Sequence, residues 1–261
     1  RRLDHGDAMS LDEQARALLT EAMTPRRRAR PRLAEPLRHA QDAEVETPLG
    51  KVAAWRLGEG PAVLCVHGWQ DDNSLWSPLI HALSEIGVAS VAFDLPGHGY
   101  SQGETCQPTG AAAAIEAVAR ELGPIDAVVT HSFGGPATGL ALMNGFAPRR
   151  AVLIAAPRGR NKHWFDGAGE QGVPEEVVRR ARELYAADIG AERAGFDLAA
   201  LASPTETLVI HSMDDDAVDW ENGEAIARQW PNAEFVLCDG LGHRMIAQDR
   251  AVIDRIVSFV A

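Results

Sequence analysis

From residue 42 onward, short apolar runs recur along the chain at 62–67, 88–93, 125–130, 151–156, 207–210 and 234–238. Stretches with helical spacing lie between them, near 75–86, 109–122, 133–145, 219–230 and 247–260. Apolar runs without polar alternation indicate strands covered on both faces, and strand alternating with helix indicates parallel crossovers. Ahead of them, 43–47 and 51–57 are β-prone and are split by Pro48-Leu49-Gly50, the mark of a hairpin. The pattern predicts an α/β fold in which an antiparallel hairpin leads into a mostly parallel, doubly wound sheet.

Two segments stand outside this rhythm. Ser10-Leu11-Asp12-Glu13 reads as a capping box that starts a helix running to about Met23, where Thr24-Pro25 stops it. Arg26, Arg27, Arg28, Arg30 and Arg32 follow among prolines and are expected to form a solvated linker. The chain thus divides into 1–41, an N-terminal helix with an Arg/Pro-rich linker, and a main domain over 42–261. Within that domain, about fifty residues between the strands ending near 156 and starting near 206 contain one clear helix, at 174–187. An ordinary crossover needs far fewer residues, so 157–205 is expected to be a small lid insertion. Such an insertion follows the C-terminal end of a strand, where ligands bind in open α/β sheets.

Composition narrows the class. With 261 residues, 46% hydrophobic and 24% charged, the chain has the proportions of a globular protein. Its 25 basic and 37 acidic residues give a net charge of −12, which argues against a general nucleic-acid binder. The three cysteines, Cys65, Cys106 and Cys238, have no paired spacing, so neither a disulfide framework nor a Cys-rich zinc site is expected. No apolar run reaches the roughly 18 residues of a membrane span, and no signal-like apolar segment follows the N-terminus. A soluble, cytoplasmic protein without a membrane partner is the expectation, and the pattern points to no oligomeric state.

The chemistry gathers at strand ends. Val129-Thr130-His131-Ser132-Phe133-Gly134-Gly135 closes a buried strand and opens a helix within a residue or two. A serine at such a turn is held in a strained geometry with its hydroxyl above the sheet, and small neighbours let strand and helix approach. The usual pattern is G-x-S-x-G, and Thr130 stands here in place of the first glycine. His67-Gly68-Trp69 follows the strand at 62–66, so the amides of Trp69 and Phe133 are candidate oxyanion donors, each typically worth ~3 kcal/mol. Asp94-Leu95-Pro96-Gly97-His98-Gly99-Tyr100-Ser101 is a turn-rich loop after the next strand, in which His98 reads as structural.

A serine nucleophile needs a base, and the base an orienting acid. His243 lies in Asp239-Gly240-Leu241-Gly242-His243 beyond the last strand, while His67 and His131 read as loop-shaping and His211 as a hydrogen-bonded strand end. His5, His39, His81 and His163 fall in no motif. The segment 211–218 supplies Asp214, Asp215 and Asp216 as candidate acids. The chain order is then serine, aspartate, histidine, that of one hydrolase architecture rather than of chymotrypsin or subtilisin. These aspartates lack the glycine and distal glutamate of an EF-hand, and no phosphate-binding or dinucleotide fingerprint occurs, so no metal site or cofactor is expected.

The pieces HGW (67–69), DLPGHGYS (94–101), THSFGG (130–135), HSMDDDAV (211–218) and GLGH (240–243) together resemble the α/β-hydrolase superfamily, specifically its small serine-esterase-like members. The resemblance runs from about residue 42 to the end. It implies a Ser132, Asp215 and His243 triad, an oxyanion hole at Trp69 and Phe133, an acyl-enzyme intermediate and no cofactor. The family pattern H-G-x-x-D-x-x-V, laid on His211 to Val218, is what selects Asp215. Superfamily members that open epoxides or carbon–halogen bonds use an aspartate nucleophile, against which Ser132 argues. The expected activity is hydrolysis of small-molecule carboxylic esters with short acyl chains. Thioesterase, perhydrolase and C–C hydrolase chemistry on the same triad, a low-turnover ligand receptor and an inactive interaction module are the alternatives.

Overall fold

In the computed structural model, which describes residues 9–27, 31–159, 165 and 167–261, the expected strands form one sheet. They are β1 (Gln41–Val45), β2 (Val52–Leu57), β3 (Ala62–Val66), β4 (Ala89–Phe93), β5 (Ile125–His131), β6 (Arg150–Ile154), β7 (Glu206–Ser212) and β8 (Ala233–Cys238). Their order across the sheet is β1-β2-β4-β3-β5-β6-β7-β8. The β1–β2 hairpin is antiparallel, β2 also meets β4 antiparallel, and every later pairing is parallel. The longer helices among the described residues are α1 (Leu11–Met23), α2 (Ser77–Glu85), α3 (Pro108–Leu122), α4 (Gly134–Met143), α5 (Glu175–Ile189), α6 (Glu221–Gln229) and α7 (Arg250–Val260).

The central strands owe their place to apolar residues on both faces. Val63 and Cys65 of β3, Val129 of β5 and Ile154 of β6 share a core with Leu79, Ile80 and Leu83 of α2 and Val252, Ile253 and Ile256 of α7. The alternate residues Ala62, Leu64 and Val66 are equally buried, which a strand achieves only when both of its faces are covered. Strand β8 departs from this expectation. At the sheet edge it pairs, among the described residues, with β7 alone, its residues are half-buried to exposed, and Leu237 keeps 37% of its surface.

The chain falls into two compact units, Pro25–Arg160 with Asp197–Ala261, and Arg1–Thr24 with Asn161–Phe196. The larger holds the sheet. In the smaller, Ser10 Oγ accepts from the Glu13 amide at 3.3 Å and Glu13 accepts from the Ser10 amide at 2.7 Å, the expected capping box. Helices α1 and α5 share an apolar core in which Ala15 and Leu19 meet Val177, Val178, Ala181, Leu184 and Tyr185. Two pieces that are far apart in the sequence, the N-terminal helix and the long interval, therefore bury their apolar stripes together.

The described part of the Arg/Pro-rich segment is not the free linker its composition suggested. Arg27 donates to the carbonyls of Gly97 at 3.2 Å and Gly103 at 2.9 Å, and Tyr100 donates to the Pro31 carbonyl at 3.0 Å. A guanidinium with several donors satisfies loop carbonyls that lack sheet partners. Arg28 and Arg30 lie outside the described residues, as do His5 and His163.

Candidate active site

Strand β5 ends at His131, and the next residue, Ser132, has a positive φ of 50°, a conformation that a side chain makes costly. The surrounding structure imposes it. The Ser132 amide donates to the Ile154 carbonyl of β6 at 2.9 Å, and its carbonyl accepts from Gly135 at 2.8 Å as α4 begins. Glycines are required here by close approach. A Cβ on Gly134 would stand 2.8 Å from the Val66 carbonyl oxygen, and one on Gly135 would stand 2.6 Å from Ala156 Cβ. Thr130 is tolerated because its position is still regular strand, paired with Val66 and Leu153. Its hydroxyl is buried with no hydrogen-bond partner among the described residues.

Three loops bring the remaining groups to this serine. His243 stands on the single helical turn Gly242–Met245, after a bend in which Gly240 and Gly242 both have positive φ. Its Nε2 is 3.0 Å from Ser132 Oγ and its Nδ1 is 2.8 Å from Asp215 Oδ2. A carboxylate can only accept, so Nδ1 carries the proton and Nε2 is left to accept from the serine hydroxyl. Asp215 lies on the loop after β7 with its side chain fully buried. Burial opposes its charge, but donors from His211, His243 and the amides of Val218 and Ala217 prevail and hold its carboxyl well below the usual carboxylate range.

Asp214 faces elsewhere. It accepts from the Gly242 amide at 3.1 Å and from the Ser212 hydroxyl, so it shapes the His243 loop from outside, and Asp216 is exposed. His211 Nε2 donates to Val218 O at 2.9 Å and to Asp215 Oδ2 at 3.2 Å, so one carboxylate oxygen receives two histidines. His67 accepts from the Leu95 amide at 2.9 Å, and His98 accepts from the Gln70 amide at 3.0 Å. Both histidines hold loop backbone together, as their places in the motifs suggested.

The turn after β3 lies against the nucleophile. A Cβ on Gly68 would fall 3.0 Å from Ser132 Cβ, so only glycine permits that approach. Trp69 and Phe133 meet edge to face with ring centroids 5.5 Å apart, and Trp69 also meets His98 at 5.2 Å. Edge-to-face aromatic packing of this kind stiffens both loops. Among the described residues no group of three or more His, Cys, Asp or Glu side chains is placed to hold a metal ion. No helix of the described residues is long and apolar enough to cross a membrane.

Asp71 and Arg244, which belong to none of the motifs, pair beside this site. The only sequence signal was position: one lies two residues after Trp69, the other directly after His243.

Comparison with known proteins agrees with this architecture. Residues 63–255 match the alpha/beta hydrolase family. The human serine hydrolase-like protein is 32% identical over 109 residues, which are 38% of this chain and 52% of that protein. The human serine hydrolase-like protein 2 is also 32% identical over 109 residues, but only 33% of its length is spanned. The chain thus covers about half, or a third, of the curated relatives it matches. Among solved structures, an esterase from Exiguobacterium antarcticum has a TM-score of 0.66 at 18% identity, over 84% of this chain and 99% of that one. An esterase from Pyrococcus furiosus has a TM-score of 0.67 at 18% identity, over 90% of this chain and 97% of that one. At such identities the likeness is one of fold.

Proposed function

Because this chain belongs to the alpha/beta hydrolase family, which it matches over residues 63–255, we propose that it is a serine hydrolase cleaving small-molecule carboxylic esters of short acyl chain. One observation carries this reading: a continuous hydrogen-bonded path from Ser132 through His243 to Asp215, at 3.0 and 2.8 Å, with the serine in a strained turn. The esterases similar in fold and the human serine hydrolase-like proteins support it.

In this mechanism His243 Nε2 removes the hydroxyl proton as Ser132 Oγ attacks the ester carbonyl carbon. Asp215 keeps the imidazole in the accepting tautomer and stabilises the imidazolium that forms. The amides of Phe133 and Trp69 receive the negative oxygen of the tetrahedral intermediate. His243 then returns the proton to the departing alcohol, leaving an acyl group on Ser132. Water, deprotonated in turn by His243, attacks that ester and releases the acid.

Ser132→Ala tests the reading. The expected result is a folded protein that has lost hydrolysis of a p-nitrophenyl butyrate probe by several orders of magnitude and no longer takes a fluorophosphonate label. A folded variant that keeps the wild-type rate would overturn it.

A further inference from the structure

Arg244 Nε is 2.8 Å from Asp71 Oδ2, and Arg244 Nη2 is 3.0 Å from Asp71 Oδ1. The two parallel bonds join segments 173 residues apart, and Asp71 is only 7% exposed. Each partner sits beside a group the proposed reaction uses. Arg244 directly follows His243 on the same helical turn. Asp71 closes the turn that carries Trp69, since its amide donates back to the Gly68 carbonyl at 3.4 Å. Within that turn Gln70 has a positive φ of 58°, and its amide is held by His98. The turn is therefore tight, and a shift at Asp71 is passed to the Trp69 amide.

We propose that Arg244 and Asp71 form a positioning clamp that holds the base His243 in register with the Trp69 turn, the pair itself touching no substrate. The proposal rests on the serine-hydrolase reading. A planar guanidinium bonded through two nitrogens to one carboxylate fixes both separation and orientation, which a single charge–charge contact does not. Burial disfavours the Asp71 charge, but the Arg244 guanidinium outweighs that and holds the carboxyl below its ordinary value, so the pair is ionised at neutral pH. Register matters because the base acts on Ser132 while the Trp69 amide acts on the oxygen of the same substrate. Displacement of either loop separates two groups that have to work on one carbonyl.

The test measures kcat and KM for p-nitrophenyl butyrate in Asp71→Asn, Arg244→Gln, Arg244→Lys and the Asp71→Asn/Arg244→Gln pair, with kcat expressed per fluorophosphonate-titrated serine, and the rate of Ser132→Ala per mole of folded protein. The clamp predicts that each neutral single variant loses about tenfold to a hundredfold in kcat per titrated site, with KM changed by less than about threefold. Arg244→Lys recovers part of the loss, since it restores charge but not the fork. The double variant is no worse than the poorer single, because both changes break one interaction. A purely structural pair would reduce the titratable fraction and the melting temperature while leaving kcat per titrated site unchanged, and that result overturns the clamp. Additive losses in the double variant overturn it too. Should Asp71→Asn fail to fold, Arg244→Lys keeps the ion pair's charge and decides by the same readout. A Ser132→Ala protein with wild-type turnover would instead overturn the serine-hydrolase reading itself.

Discussion

His131 donates from Nε2 to the main-chain carbonyl of His243 at 2.8 Å, so the residue preceding the proposed nucleophile grips the backbone of the proposed base. The bond fixes the tautomer. Nδ1 is left as an acceptor, buried and without a hydrogen-bond partner among the described residues. Burial, reinforced by the nearby His243, pushes the His131 imidazole down to about 4 from an ordinary 6.5.

This bears on stability. Between about pH 6.5 and about pH 4 the unfolded chain takes up a proton at this histidine and the folded one does not, so folding weakens as pH falls through that window. At one unit per 1.4 kcal/mol, the contribution is on the order of 3 kcal/mol. In His131→Leu that part of the pH dependence is expected to vanish, measured as the urea midpoint at steps across the window. Identical slopes in the two proteins would remove the histidine from the account.

The three aspartates after β7 are separable by mutation. Asp215→Asn removes the acceptor that sets the His243 tautomer and is expected to lower kcat by at least about a hundredfold. Asp214→Asn alters only the outer bonds to Ser212 and Gly242, and should cost less than about tenfold. Steady-state rates on the same ester decide between them, and the reverse ranking would transfer the acid's role to Asp214.

Close packing beneath the serine predicts an asymmetry between glycines. Gly134→Ala drives a methyl toward the Val66 and His67 carbonyl oxygens, 2.8 and 3.0 Å from the new Cβ, and backbone atoms yield poorly. A loss of about 1–3 kcal/mol is expected in chemical denaturation. Gly167→Ala, in the helical stretch 167–170, meets nothing within 4 Å and is expected to be neutral or stabilising by up to about 1 kcal/mol. Equal effects at both sites would show that the approach at Gly134 is not tight.

Acyl preference is open to a direct assay. The proposed substrates predict that kcat/KM on a soluble butyrate ester exceeds that on emulsified long-chain triglyceride. A preference for the emulsion would redefine the substrate class.

Much of this molecule is legible in its sequence. The mostly apolar runs at 62–67, 88–93 and 125–130 specify buried strands because a strand exposed on one face needs regular polar alternation there. Strand–helix alternation then leaves parallel crossovers as the available connection, so loops carrying Trp69, Ser132, Asp215 and His243 emerge along one side of the sheet. The capping box at Ser10 was equally local and equally readable. Tertiary structure alone decided the rest. The pairing of α1 with α5 joins segments with no mutual signal, since an apolar helical stripe states that it must be buried but not against what. Among the three adjacent aspartates the family resemblance pointed to Asp215, but the contacts themselves come from the bend after β7, which turns Asp215 to His243 and leaves Asp214 on the Gly242 amide. The same holds for Asp71 with Arg244 and for His131 with the His243 carbonyl, contacts 173 and 112 residues apart. Their partners are set by where folded loops converge, and side-chain type and spacing along the chain carry no record of that convergence.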